Sequence, residues 1–386
     1  MMRSDMTEYE SACSKIISSE PFNRLAGYAQ TSITHYLVPF AANGAPLGDN
    51  IHRVNRKEHS ICTYLLVNKF FEYHPELKGE DCEAPVIFAA LCHDIGVVAA
   101  SHYNDPNLPL LTGIENHEQR ARIIMQDTKI KDMIADFCRV DDVARIIEGR
   151  DAGIGCIVNN GNHAVPDADS IHNLMMYIAA YVNMDGQRLP DPIKLVEHAM
   201  PENGVLSLDD CAKPEYDAYN QCRKTMYGEI HGEWHTSVAS ILTYSLGHMI
   251  ADKGKRTLID DGFLDFVDKE LIDYLKTDPL LCELIGRTQK GILPVSIAEA
   301  ETSTPSGYLM TIHRNLPERY KYSNNIAKEL GGNFKPGDIT VEVSKLKSRR
   351  GMGDRYSIRV FADPRRIWDF NASKRDVIDF EDINKI

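Results

Sequence analysis

From Lys57 to Tyr73 the apolar residues Ile61, Leu65, Val67, Phe70 and Phe71 recur at mixed three- and four-residue spacing, which predicts a helix that Pro75 closes. Gly79 begins a connection, and Pro85 opens a second run, Val86 to Ile95, stopped by Gly96. That run is apolar almost all round, the pattern of a helix buried on every side. Asn104–Leu111, with Pro106 and Pro109, reads as loop, and Asn116 reads as the N-cap of a helix from His117 to about Asp127. The helical pattern continues over 129–149, 167–183, 216–230, 235–250 and 262–286, with a polar stretch through 185–215. Ahead of all these, 5–40 reads as helical segments broken near Pro21, and Asn43–Asn50 as loop.

After Gly291 the period changes. Ile339–Val343 and Tyr356–Phe361 alternate as strands do, and Gly351 with Gly353 can bend the chain between them. The pattern therefore predicts a mainly α protein in three parts: a helical lead-in over 1–50, a helical core over 51–288, and a small α+β appendage over 289–386.

Composition narrows the class. Of 386 residues, 43% are hydrophobic and 26% charged, which fits an ordinary globule and argues against disorder or coiled coil. With 43 basic against 56 acidic residues the net charge is −13, so general nucleic-acid or anionic-membrane binding is not expected. Nine cysteines with no CxxC pair match neither a disulfide framework nor a zinc ribbon. The start Met1-Met2-Arg3-Ser4-Asp5 has no apolar signal region, and no window is apolar enough to span a membrane. An intracellular protein is expected; secretion by a signal-less route, as for an effector, leaves no mark in a sequence.

The chemistry concentrates on His93-Asp94, at the end of the apolar helix. Burying imidazole beside carboxylate is costly unless the two are paired or bound to a cation. His59 lies 34 residues before His93, and Asp169 lies 75 residues after Asp94, each near the start of its own helix. Two imidazoles and two carboxylates give a shell suited to one or two ions of Mn, Fe, Co, Ni, Zn or Mg. The structural alternative is a His-Asp pair that only cross-links helices. Arg53, Arg56 and Lys57 beside His59 offer phosphate contacts, or a solvated helix start. His117 and Glu118 open a helix, where anions are favoured, or serve as ordinary capping charges. Asp167 can orient the last ligand or Arg56, or cap its helix, and His102 can face the site from the intervening loop. His231 and His235, four apart around Glu233, could chelate from a helix. Glu299-Ala300-Glu301 superficially matches the carboxylate pair of ADP-ribosyltransferases, in the wrong order relative to its Ser-Thr run. Lys345, Lys347, Arg349, Arg350, Arg355, Arg359, Arg365 and Arg366 crowd the segment 345–366, a surface for an acidic protein partner, an active-site lid, or a solvated hairpin face.

Ala90-Leu91-Cys92-His93-Asp94-Ile95-Gly96 resembles the central motif of the HD-domain phosphohydrolase superfamily. Arg56-Lys57-Glu58-His59-Ser60 resembles the Arg-x-x-His-Ser opening of its nucleotide triphosphohydrolase members. Ala168-Asp169-Ser170-Ile171-His172-Asn173 resembles the Ala-Asp-x-Leu-His-Asn segment of its guanosine-tetraphosphate-type members. The resemblance implies an all-helical core with a divalent metal on His59, His93, Asp94 and Asp169, hydrolysing a phosphate ester of a nucleotide or nucleotide-derived substrate. It further implies Arg56 on the phosphate and Glu118 or His117 as proton donor to the leaving group. A narrower run is similar to the phosphodiesterase domain of SidE-family bacterial effectors: Arg53-Val54-Asn55, His59-Ser60, His93-Asp94 and Asp167-Ala168-Asp169. That domain cleaves the phosphodiester between ADP-ribose and modified ubiquitin. Arg56 stands where that family has its histidine nucleophile, and Pro166 where it has a further histidine; His52 or His163 could substitute, neither at the matching spacing. Two other readings remain, a di-iron oxygenase of the HD type and a non-catalytic helical adaptor.

Overall fold

The computed structural model describes residues 8–30, 34–37, 55–79, 82–127, 129–151, 153–160, 165–181, 187–229, 233–303, 306–330, 334–346 and 355–365. The chain is mainly helical and divides into two compact units. One comprises 1–31, 41–98 and 114–229, the other 32–40, 99–113 and 230–386.

In the first unit the Arg56–Tyr73 helix is the central post. Asn55 caps it, its side-chain oxygen accepting from Glu58 N at 3.0 Å. The post packs on three helices, Glu83–Cys92, Ala168–Tyr181 and Pro192–Glu197, and Val140–Ile147 packs on Glu83–Cys92 in turn. Every residue from Ala84 to Cys92 is buried, as the unbroken apolar run required. Gly96 follows, and a Cβ there would stand 1.9 Å from His117 O and 2.4 Å from Ala121 N. Only glycine lets the chain leaving this helix pass so close to the His117–Asp127 helix. Arg120 fastens the crossing, donating from Nη1 to the Gly96 and Val97 carbonyls, both at 3.1 Å.

The second unit is built on the long Glu233–Lys253 helix, which packs on the Leu316–Leu330 helix where Gly247 allows close approach to Leu316 O. β1 (Ala199–Glu202) and β2 (Val205–Leu208) form a hairpin in the first unit; the sheet of the second unit contains β3 (Val295–Thr302), β4 (Ile339–Leu346) and β5 (Arg355–Ala362). Its order is β3-β5-β4, antiparallel throughout. Leu309, Ile312, Ile326 and Leu330 pack with Ile339, Val341, Ile358 and Val360 in its core. Beneath, buried Arg287 donates from Nη1 to Asp338 at 2.5 Å and Asp363 at 2.8 Å.

The structure departs from the pattern reading in several places. Asn104–Leu111 is not all loop: it carries the end of a helical turn at Ser101–Asn104 and most of the Leu108–Thr112 helix, whose Pro109 occupies a position where no N–H is needed. The expected 129–149 helix is two, Ile130–Ala135 and Val140–Ile147, divided where Arg139 turns extended. The expected 262–286 helix divides as well, because Asp278 caps a new helix at Pro279. The polar stretch 185–215 contains Pro192–Glu197 and the β1–β2 hairpin. Among the basic residues of 345–366, Arg359 donates to Glu299 at 2.6 Å and Arg365 to Asp363 at 2.6 Å, so neither charge is free. Lys347, Arg349, Arg350, Gly351, Gly353 and Arg366 lie outside the described residues, as does the Asn43–Asn50 loop. Among the described residues no helix is long and apolar enough to cross a membrane.

Candidate metal centre

Three helices of the first unit converge on one point. His59 comes from the first turns of Arg56–Tyr73, His93 caps the C-terminus of Glu83–Cys92, and Asp169 lies in the first turn of Ala168–Tyr181. Asp167 holds that last helix start, accepting from Ser170 N and Asn160 N, each at 2.8 Å. His59 Nε2 lies 3.1 Å from His93 Nε2 and 2.8 Å from Asp169 Oδ1. Asp94 Oδ2 lies 3.5 Å from His93 Nε2 and 3.8 Å from His59 Nε2, and His93 Nε2 lies 3.7 Å from Asp169 Oδ1.

These separations fit a single ion. Bonds of about 2.0–2.2 Å put neighbouring donors roughly 3 Å apart at right angles and roughly 3.4 Å apart at tetrahedral angles. One tautomer is fixed by the fold: the carbonyl of Ala90, 2.9 Å from His93 Nδ1, can only accept, so Nδ1 carries the proton and Nε2 presents a lone pair to the cluster. His59, His93 and Asp169 each offer a donor atom, all within 4.8 Å of one another, with Asp94 alongside. The donor set and its spacing therefore fit a divalent cation of the N/O-binding kind.

Arg56 is committed to this cluster from behind. Fully buried, it donates from Nη1 to Asp94 Oδ2 at 2.9 Å and from Nη2 to Gln30 O at 3.5 Å. Burial works against the charge of Asp94, but Arg56, His93, His59 and His117 outweigh it in that order and hold the carboxyl well below its usual range. At Asp169 burial is likewise outweighed, by the hydrogen bond from His59 and the nearby imidazoles, and its carboxyl is also depressed although the side chain is 41% exposed. Burial lowers His59 against the pull of Asp169, which keeps the ring neutral and able to ligate. Asp167 moves the other way, to about 6, through burial and then the charge of Asp169.

Several of the other sequence candidates are engaged outside this cluster. Lys57 turns aside and donates to Asn23 Oδ1 at 2.6 Å. Glu118, partly buried, accepts from Asn116 Nδ2 at 2.7 Å, while Asn116 caps the helix by accepting from Gln119 N at 2.9 Å. His117 sits on the same first turn and adds its charge to those acting on Asp94. His102 pairs with Asp105 at 3.1 Å. Glu299 lies on β3 and is paired with Arg359. Arg53, His52, His163 and His231 lie outside the described residues, as does the side chain of His235.

Two participants were missed by sequence reasoning. His172 stacks on His59 with centroids 5.2 Å apart and brings Nδ1 to 2.9 Å from His59 Nδ1; burial, then His59, lowers its imidazole to about 3. Gln30 accepts from Arg56 through its carbonyl and donates from Nε2 to Asn173 at 2.8 Å. His172 was signalled by lying three residues after Asp169, on the same helix face. Gln30 had no such signal.

No protein-family profile matches the sequence, and no curated protein matches it. Solved structures do match the fold. A hypothetical protein from Aquifex aeolicus superposes with a TM-score of 0.61 at 17% identity, over 94% of this chain and 95% of that one. A phosphohydrolase from Bacteroides thetaiotaomicron superposes with a TM-score of 0.59 at 13% identity, over 90% of this chain and 94% of that one. At such identities the likeness is one of fold, and it extends over nearly the whole length of each chain.

Proposed function

We propose that this protein is a metal-dependent phosphohydrolase of the HD type, acting on a phosphate ester of a nucleotide or nucleotide-derived compound. The observation that carries the proposal is the convergence of His59, His93 and Asp169, with Asp94 alongside, from helices far apart in sequence. A phosphohydrolase among the proteins sharing its fold supports the same reading.

In this reading His59, His93, Asp94 and Asp169 would hold a divalent cation, which would supply Lewis acidity for the phosphoryl oxygens and for activating water. Arg56 is engaged with Asp94 and acts on the substrate through it, keeping that carboxylate ionised and aimed. The Ala90 carbonyl keeps the His93 lone pair toward the site. Glu118 or His117, on the first turn of its helix, delivers the proton to the departing oxygen. Lys57 takes no part.

The test is elemental analysis of the purified protein with a panel of nucleotides and phosphodiesters, assayed with and without chelator. Bound divalent metal, chelator-sensitive hydrolysis, and loss of both in His93→Ala and Asp94→Ala are expected. Turnover surviving exhaustive chelation would point to metal-free, SidE-like chemistry. Iron at two equivalents would point to an oxygenase, and a metal-free protein inactive on the whole panel to an adaptor. Any of these three overturns the proposal.

A further inference from the structure

The Ala168–Tyr181 helix takes hold of both nitrogens of one ring. Asp169 and His172, three residues apart on one helix face, reach His59 Nε2 at 2.8 Å and His59 Nδ1 at 2.9 Å. The His59 ring is completely buried, and the His172 ring lies against it at an interplanar angle of 28°. We propose that His172 is a positioning residue that sets the tautomer of His59, making Nε2 available as a metal ligand. The inference rests on the metal reading given above.

Two Nδ1 atoms at hydrogen-bonding distance share one proton, so one ring donates and the other accepts. In the metal-free chain the bonds are all satisfied when His172 Nδ1–H donates to His59 Nδ1 and His59 Nε2–H donates to Asp169. A ligating His59 needs the opposite arrangement, with the proton on Nδ1 donating to His172 Nδ1. The changeover balances. His59 gives up its Nε2 proton to solvent and receives the His172 Nδ1 proton, and His172 takes a proton from solvent at Nε2. Each ring begins and ends neutral with one proton. His93 is served differently, because its partner Ala90 O accepts only and holds one tautomer throughout. An imidazole partner, alone of the two, can reverse direction.

The test uses the full-length protein labelled with 15N-histidine, observed without metal and with Zn2+ alone, together with Mn2+ titrations of His172→Phe and His172→Asn. Metal should move the His59 proton to Nδ1 and the His172 proton to Nε2. His172→Phe, which cannot accept, should bind Mn2+ about 10- to 100-fold more weakly, the usual effect of losing a ligand's outer partner. His172→Asn, whose Oδ1 occupies the Nδ1 position, should recover most of that loss, which a merely structural role would not predict. Unchanged Mn2+ affinity in His172→Phe overturns the inference, as does a metal-loaded His59 still protonated at Nε2. The spectra of the wild-type protein decide the matter if His172→Phe does not fold. If the wild type takes up no metal, the metal reading and this inference fall together. If the wild type binds metal through His93 and His172→Phe binds equally well, only this inference falls.

Discussion

Arg56→Met tests the arrangement that buries charge at this site. Arg56 Nη1 and Asp94 Oδ2 are 2.9 Å apart, with side chains only 4% and 2% exposed. At that distance and an effective dielectric of 20, the Coulomb attraction is about 6 kcal/mol. Desolvation of both groups consumes much of it, so the pair contributes little net stability against apolar residues of the same shape. Removing one partner is another matter, because Asp94 is left buried among imidazoles; such truncations cost about 3–5 kcal/mol. Methionine preserves most of the volume and so limits the cavity contribution. The assay is urea unfolding of metal-free wild type, Arg56→Met, Asp94→Asn and the double variant. The single Arg56 change should move the midpoint far to lower urea, and adding Asp94→Asn should recover a large part of the loss. Cation affinity should move the other way, since the competitor for Asp94 Oδ2 is gone. An Arg56→Met protein with the wild-type midpoint, or a double-mutant cycle with no coupling, would refute the buried ion pair.

Gly96→Ala places its Cβ 1.9 Å from His117 O, so the His117–Asp127 helix must shift by more than an ångström. Overpacking of this kind costs about 1–3 kcal/mol or more, read by thermal unfolding, and activity should fall further than stability because His117 and Glu118 ride on the displaced turn. Arg287→Met removes the buried guanidinium shared by Asp338 and Asp363 in the second unit, leaving Asp363 with Arg365, and should cost about 3–5 kcal/mol in urea unfolding. Asp363 is depressed from the ordinary 3.8 because the hydrogen bonds from Arg365 and the charge of Arg287 outweigh its burial; its stabilisation is complete above that value and fades as pH falls through the lower folded value. Asp363→Asn should therefore lose less stability than wild type between pH 5 and pH 3, measured by denaturant midpoints. Lys57→Met should leave turnover and KM unchanged, because its ammonium is held by Asn23 away from the cluster.

Much of this was legible in the residues. The all-round apolar run 86–95 could only be a buried helix, and the depth of that burial singled out His93-Asp94 as a pair needing a partner. Convergence with His59 and Asp169 followed from motif order. Helix boundaries were less legible where periodicity ran across a start signal. Asp191-Pro192 and Asp278-Pro279 both begin helices, with the aspartate side chain capping and the proline in the first turn, yet each lies inside a longer stretch of one character. The sequence points Arg56 toward substrate phosphate because it shows the charge of that residue but not its surroundings. Its distance from Asp94 depends on how two helices pack, which no local pattern encodes.

That packing also gives a reason for burying a positive charge behind the candidate cation site. Asp94 and Asp169 bring two negative charges to the neutral imidazoles, and Arg56 returns one positive charge, leaving the group at −1. A divalent ion takes the sum to +1, an attractive balance for a phosphate dianion or monoanion. Without Arg56 the loaded site would be neutral: it would grip the cation more firmly and the ester more weakly. On the proposed reading the guanidinium would act on the substrate without touching it, through the charge it cancels on Asp94. Metal affinity and substrate affinity should accordingly respond in opposite senses to its removal, metal affinity rising while KM also rises. A variant in which metal affinity and substrate affinity weaken together would mean that Arg56 serves only to hold the helices in register.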